Sequence, residues 1–160
     1  MVNNNALLEQ FYSTLGDTYN ELENFEASYS AYEKVLKLNP ENTVVLNNYS
    51  YYLSLRGKNL TRAKEMAAKA VEMDPYNSNN LDTYAWVLYK MQDYNGALDW
   101  IIKAYNNSSV ASGAILEHYG DILYKLGREK EALDYWNRAK LVSGYSDLLD
   151  EKIKSGKLYE

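Results

Sequence analysis

Apolar residues recur along this chain at helical spacing, and the pattern they make recurs four times. Leu8, Tyr12, Leu15 and Tyr19 fall on one face of a helix over 6–21. Phe25, Tyr29, Tyr32, Val35 and Leu36 mark a second helix, which ends before Pro40 because proline disfavours helix in the residue ahead of it. The same order of helix, short turn, helix and turn then returns. Helices over 46–55 and 62–73 form a second pair, 81–90 and 94–105 a third, and 115–125 and 130–141 a fourth. Small residues hold fixed columns at steps of 34 or 35: Gly16, Ser50, Ala85, Gly120, then Ser28, Ala63, Ala97, Ala132, then Val35, Ala70, Ala104, Ala139. Large residues fill the columns between, as in Tyr12, Leu46, Leu81 and Leu116. The turn Arg56-Gly57-Lys58-Asn59 is one residue longer than in its neighbours, which makes the step across it 35 in the later columns. A fixed period of this length means stacked units, each unable to bury its apolar face alone.

The expected architecture is therefore all-α: one domain over 1–160, with repeats over about 9–42, 43–77, 78–112 and 113–146. A short closing helix over 147–155 follows, capped by Ser146. Leu148, Leu149 and Ile153 form its apolar face, and Asp150, Glu151, Lys152 and Lys154 its polar one. A stack needs such a lid, because its last unit otherwise leaves apolar surface wet. At the front, Asn3 to Asn5 are polar but no full capping helix precedes Leu8, which suits a chain cut from something longer.

Composition narrows the function more by exclusion than by indication. Hydrophobic residues make up 46%, enough for a packed core. The net charge of −5 argues against nucleic acid, which needs a basic face, and against anionic lipid. No cysteine is present, so disulfides, zinc–thiolate sites and thiol catalysis are excluded and either redox compartment is open. No apolar run reaches the roughly 18 residues that a membrane span requires. Met1 to Asn5 carries no basic or apolar leader. A complete chain would be cytoplasmic, whereas a piece of an exported protein would be periplasmic or envelope-associated. His118 is the only histidine, which rules out a histidine-pair metal site. No phosphate-binding glycine loop or nucleophile motif occurs, so neither an enzyme nor a cofactor is expected.

The alternation of columns resembles the tetratricopeptide repeat, a helix–turn–helix unit of about 34 residues. Leu15-Gly16-Asp17-Thr18-Tyr19 with Tyr32, Val35-Leu36 and Pro40 is a near-complete copy. Tyr119-Gly120-Asp121-Ile122-Leu123 with Leu126-Gly127, Glu131-Ala132-Leu133, Trp136 and Ala139 is another. The middle repeats depart from the pattern, with Ser50 and Ala85 where glycine is usual and Ala67 in place of an aromatic residue. The segments 47–53, 81–89 and 117–121 also resemble C-terminal repeat regions of longer bacterial, often envelope-associated, proteins.

The resemblance implies a right-handed superhelix whose first helices line a concave groove, and a non-enzymatic scaffold that binds a peptide or protein there. The face of each first helix not used in packing then supplies the groove. From the second unit come Asn47, Asn48 and Tyr51, and from the third Asp82, Thr83, Trp86, Tyr89 and Lys90. The fourth supplies Glu117, His118, Asp121, Tyr124 and Lys125. The aromatic members either contact a ligand or pack between first helices. Asn47 and Asn48 could hold an extended backbone, since an amide both donates and accepts. His118 is expected as an exposed groove residue. Family members that grip a terminal carboxylate use a groove cluster of Lys, Arg and Asn, of which only Asn48 is matched here. Asp82, Glu117 and Asp121 make the groove centre acidic, which favours a basic or polar peptide. Two other roles fit the same fold: a spacer that binds a second copy or further N-terminal repeats, and a module recruiting substrates for an enzyme domain elsewhere.

Overall fold

The computed structural model of the protein describes residues 4–159, and these contain helices and no strands. Helix α1 (Asn4–Glu21) pairs with α2 (Phe25–Leu38), α3 (Thr43–Leu55) with α4 (Leu60–Met73), α5 (Ser78–Lys90) with α6 (Tyr94–Asn107), and α7 (Gly113–Lys125) with α8 (Glu129–Ala139). A short α9 (Leu149–Ser155) packs on α8. The helix pairs stack in chain order into a right-handed superhelix.

Each pair closes through the same turn. The N–H groups of Asn24, Lys58, Asp93 and Arg128 return to the carbonyls of Tyr19, Leu53, Leu88 and Leu123 at 2.8–3.0 Å. This six-to-one bond satisfies a helix-end carbonyl and requires a left-handed residue just before the returning donor. Those residues are Glu23, Gly57, Gln92 and Gly127, one column of the repeat, with φ of 57°, 60°, 66° and 76°. The extra residue of the second turn is Asn59, also at positive φ. Helices α3, α5 and α7 begin two or three residues earlier than apolar spacing indicates. The reason is polar capping: the side chains of Asn42, Asn77 and Ser112 accept hydrogen bonds from first-turn N–H groups.

The small columns lie where helices touch. Ser28, Ala63, Ala97 and Ala132 are fully buried, as are Val35, Ala70, Ala104 and Ala139. A Cβ added at Gly16 would stand 2.5 Å from the Tyr32 ring, and one at Gly120 would stand 2.5 Å from Trp136. The terminal repeats share a further device. Tyr32 donates its hydroxyl hydrogen bond to Asp17, and Trp136 donates from Nε1 to Asp121 at 2.8 Å, each across 15 residues. First helices also pack side by side, α3 on α5 and α5 on α7, whereas consecutive second helices do not meet to that extent. The stack therefore bends toward its first helices, which form the concave side.

The closing helix differs from its expected form. It starts at Leu149, with Asp147 and Leu148 in a turn. Ser146 opens that turn, its hydroxyl oxygen accepting from the Leu148 N–H at 3.2 Å, and does not cap α9 itself. Lys152, expected on the solvent face, is buried beside Leu149.

Candidate functional site

The concave face is open at one end and closed at the other. Asn47, Asn48 and Tyr51 of α3, Lys90 of α5 and Tyr124 of α7 are half-buried, and Lys125 is exposed. Asp82, Thr83, Trp86 and Tyr89 of α5 are buried, as are Glu117, His118 and Asp121 of α7. The expected run of open groove residues is thus corrected over its second half. The Trp86–His118 stack between α5 and α7 removes part of the surface, and Ser146 and Lys152, bonded to α7, cover more of it.

His118 is one such correction: it is only 8% exposed. Its ring stacks on Trp86, with centroids 4.0 Å apart, and its Nδ1 lies 2.8 Å from Asp82 Oδ1. Burial alone would push the imidazole pKa down, but the Asp82 carboxylate, with Asp121 and Glu117 of α7, outweighs it and holds the pKa above its ordinary value of 6.5. Trp86 thus packs between first helices, and its other stacking partner, Tyr89 of the same helix at 4.5 Å, meets the Tyr94 ring of α6 at 5.5 Å. The Lys90 ammonium sits 4.9 Å from the Trp86 ring centroid, within cation–π range.

Glu117 and Asp121 are occupied from within the chain. Lys152 Nζ of α9 donates to Glu117 Oε1 at 2.8 Å and to Asp121 Oδ1 and Oδ2 at 2.9 and 2.7 Å. The Ser146 N–H and hydroxyl donate to the two Glu117 oxygens at 2.7 and 2.6 Å. Burial raises the Glu117 carboxyl, and the bonds from Lys152 and Ser146 reverse this to hold it below 4.5. At Asp121 burial wins over Lys152 and pushes the pKa up to about 6. The acidic groove centre expected from Asp82, Glu117 and Asp121 is therefore internally compensated. Among the described residues no group of three or more such side chains is arranged to hold a metal ion.

What remains open is a cavity of about 410 Å³. Tyr51, Trp86 and His118 come to it from three successive first helices, with Lys90 at its side. The C-terminal segment supplies Tyr145, Leu148 and Tyr159 to its wall. None of these three was foreseen, nor were Ser146 and Lys152. One signal existed for Lys152, which stands 35 residues after Glu117 and so continues the column Asn47, Asp82, Glu117. A second cleft, of about 330 Å³, is lined by Asn47, Asn48, Asn77, Asn79 and Asn80. There Asn48 Nδ2 donates to Asp17 Oδ1 at 3.3 Å, while Asn47 Oδ1 is buried without a donor. A hollow of about 500 Å³ between the α6–α7 loop and the end of α8 is larger. Its single charged side chain, Arg138, already donates to the Tyr105 hydroxyl oxygen, which leaves it poorer in open chemistry.

Comparison with known proteins agrees with this geometry. A family model described as anaphase-promoting complex, cyclosome, subunit 3 matches residues 56–139, and one described as tetratricopeptide repeat matches residues 9–42. With the four-fold period and the helix pairs, these place the protein in a class: the chain belongs to the tetratricopeptide repeat family. No curated protein matches it. Among solved structures it is similar to PilF of Pseudomonas aeruginosa (16% identity, TM-score 0.79, covering 96% of this chain and 69% of that one). It is similar also to the tetratricopeptide domain of Sgt2 from Aspergillus fumigatus (20% identity, TM-score 0.70, covering 76% and 81%). A third likeness is to YrrB, described as a tetratricopeptide protein with an unusual peptide-binding site (26% identity, TM-score 0.60, covering 79% and 60%).

Proposed function

We propose that the protein is a non-catalytic scaffold whose concave face takes a peptide or protein partner. The observation that carries this reading is the convergence of Tyr51, Trp86 and His118, from three first helices, on one cavity beside Lys90. Side chains held by stacking and by a buried ion pair lose little freedom when a partner arrives, so binding is preorganised. The asparagine-lined cleft at Asn47 and Asn48 offers a second stretch of the same face to an extended backbone. The likeness to YrrB supports peptide binding as the mode.

The test is capture of partners from extract of the source cells, comparing the parent chain with an Asn48→Ala/Tyr51→Ala/Lys90→Ala variant. These three positions are half-buried, so the variant is expected to keep the parent's circular dichroism. Trp86 and Tyr89 are left alone because both belong to the packed interior. Proteins held by the parent and lost by the variant support the concave face. Equal capture by both moves the site elsewhere. No capture by either, with mass rising with concentration, favours a spacer that binds its own copies.

A further inference from the structure

The cavity on the concave face shows an imbalance in the hydrogen bonds it leaves unmade. Of its acidic lining, Glu117 accepts at both oxygens from Ser146 and Lys152, and Asp121 accepts from Lys152 and Trp136. Lys152 spends its donors on these two carboxylates. The groups still unpaired are mainly donors. Trp86 Nε1–H is buried with no acceptor, which leaves a desolvated donor uncompensated. His118 is bonded to Asp82 through Nδ1 alone. Lys90 rests over the Trp86 ring with no carboxylate partner among the described residues. Around these donors stand apolar side chains with surface to cover, Leu55 at 48% and Leu148 at 41% exposed.

We propose that this cavity receives a carboxylate carried on an apolar or aromatic group. The inference rests on the concave-face reading and sharpens it: the preferred partner is acidic, against the basic one that the groove's sequence suggests. Such a ligand would place oxygens against Lys90, His118 and the Trp86 edge, and lay its apolar body on Leu55, Leu148 and Tyr51. Two sources share this chemistry, an acidic peptide segment with a neighbouring apolar residue and a small aromatic acid. His118 also makes the binding pH-dependent. The groups facing it are Asp82 and Lys90 of α5, Tyr51 of α3, Glu117 and Asp121 of its own helix, and Lys152 of α9. Its protonated form offers an Nε2–H to the ligand. Above its folded pKa the same nitrogen presents a lone pair, and a carboxylate is repelled.

Nuclear magnetic resonance of the 15N-labelled full chain tests this, with phenylacetate as the ligand and phenylacetamide and phenethylammonium as its neutral and cationic counterparts. Trp86→Phe assigns the indole signal, and His118 needs no assignment because it is the only histidine. Phenylacetate is expected to move both signals, to raise the His118 pKa and to bind about tenfold more tightly than phenylacetamide, a difference of about 1.4 kcal/mol. Lys90→Met is expected to remove most of that preference. A capped peptide carrying Glu-Phe, compared with Gln-Phe, separates the sources: tighter binding of the Glu peptide than of phenylacetate favours a protein partner. Equal or stronger binding of phenylacetamide or phenethylammonium overturns the carboxylate and leaves the cavity as a site. Silence from every ligand at millimolar concentration overturns the cavity as well. The concave-face reading would then survive only if partner capture still depended on Asn48.

Discussion

Gly120 has no room for a side chain, and its neighbour has no room to retreat. An added Cβ would stand 2.5 Å from Cδ1 and Nε1 of Trp136 and 3.0 Å from the Ala132 carbonyl oxygen. Trp136 is fully buried and tied to Asp121 through Nε1, so it cannot swing aside without breaking that bond. Gly120→Ala is expected to destabilise the protein by about 1–3 kcal/mol through overpacking, read as a lower urea midpoint at unchanged slope. At His118 the residue-scale effect is electrostatic. A folded pKa raised above 6.5 means that the protonated ring stabilises the fold at low pH. That contribution is complete below 6.5 and is lost as pH rises through the folded value. Asp82→Asn removes the strongest of the charges that raise it and leaves burial, which lowers it, opposed only by Asp121 and Glu117. The single imidazole signal is expected to titrate above 6.5 in the parent and clearly lower in the variant. A variant that titrates no lower than the parent would show that Asp82 is not the cause.

At the scale of the element, the turn between paired helices repeats with one geometry and two kinds of residue. Gly57 and Gly127 meet the left-handed requirement without strain, while Glu23 and Gln92 meet it with a Cβ in place. Gln92→Gly is therefore expected to stabilise by up to about 1 kcal/mol, read as a raised melting temperature, and Gly127→Gln to destabilise by a similar amount. This turn also marks where sequence reading succeeds. A helix pair is legible because its apolar period and its breakers are local, and the columns from Gly16 to Ala139 predict which faces meet. Helix starts are less legible, since caps such as Asn77 are polar and add nothing to an apolar period. The site is least legible of all. Whether Trp86 faces solvent or His118 depends on how tightly α5 and α7 approach, and no spacing encodes that. The burial of Lys152 depends on a chain reversal at Ser143-Gly144, where the Gly113 N–H donates to the Ser143 carbonyl at 2.8 Å. Only the extension of the Glu117 column hinted at it.

For the whole molecule, packing between neighbouring repeats makes stability a sum of local terms with coupling across each interface. Lys152 is where the last of these terms is concentrated. It joins α9 to α7 by a buried ion pair, with Lys152, Glu117 and Asp121 all about 4% exposed or less at the side chain. Lys152→Met leaves two carboxylates buried without their cation, and removing one partner of such a pair typically costs about 3–5 kcal/mol. The loss should stay near its source. Hydrogen exchange followed by mass spectrometry is expected to speed up in α7, α8 and α9 and to stay unchanged in α1 and α2, which lie beyond three interfaces between repeats. The pH dependence has a definite sign. In the parent, Glu117 is depressed, so its contribution is present above 4.5 and is lost as pH falls through its folded value. Asp121, raised to about 6, works the other way, gaining stability as pH falls from 6 toward 3.8. Without Lys152, Glu117 keeps only the Ser146 bonds against its burial and Asp121 loses its cation, so both carboxylates shift toward protonation in the fold. The variant should accordingly recover in mild acid, with its exchange rates in α7 to α9 approaching the parent's between pH 7 and pH 5. Faster exchange along the entire chain would instead mean that the four repeats unfold as one unit and that α9 holds all of them.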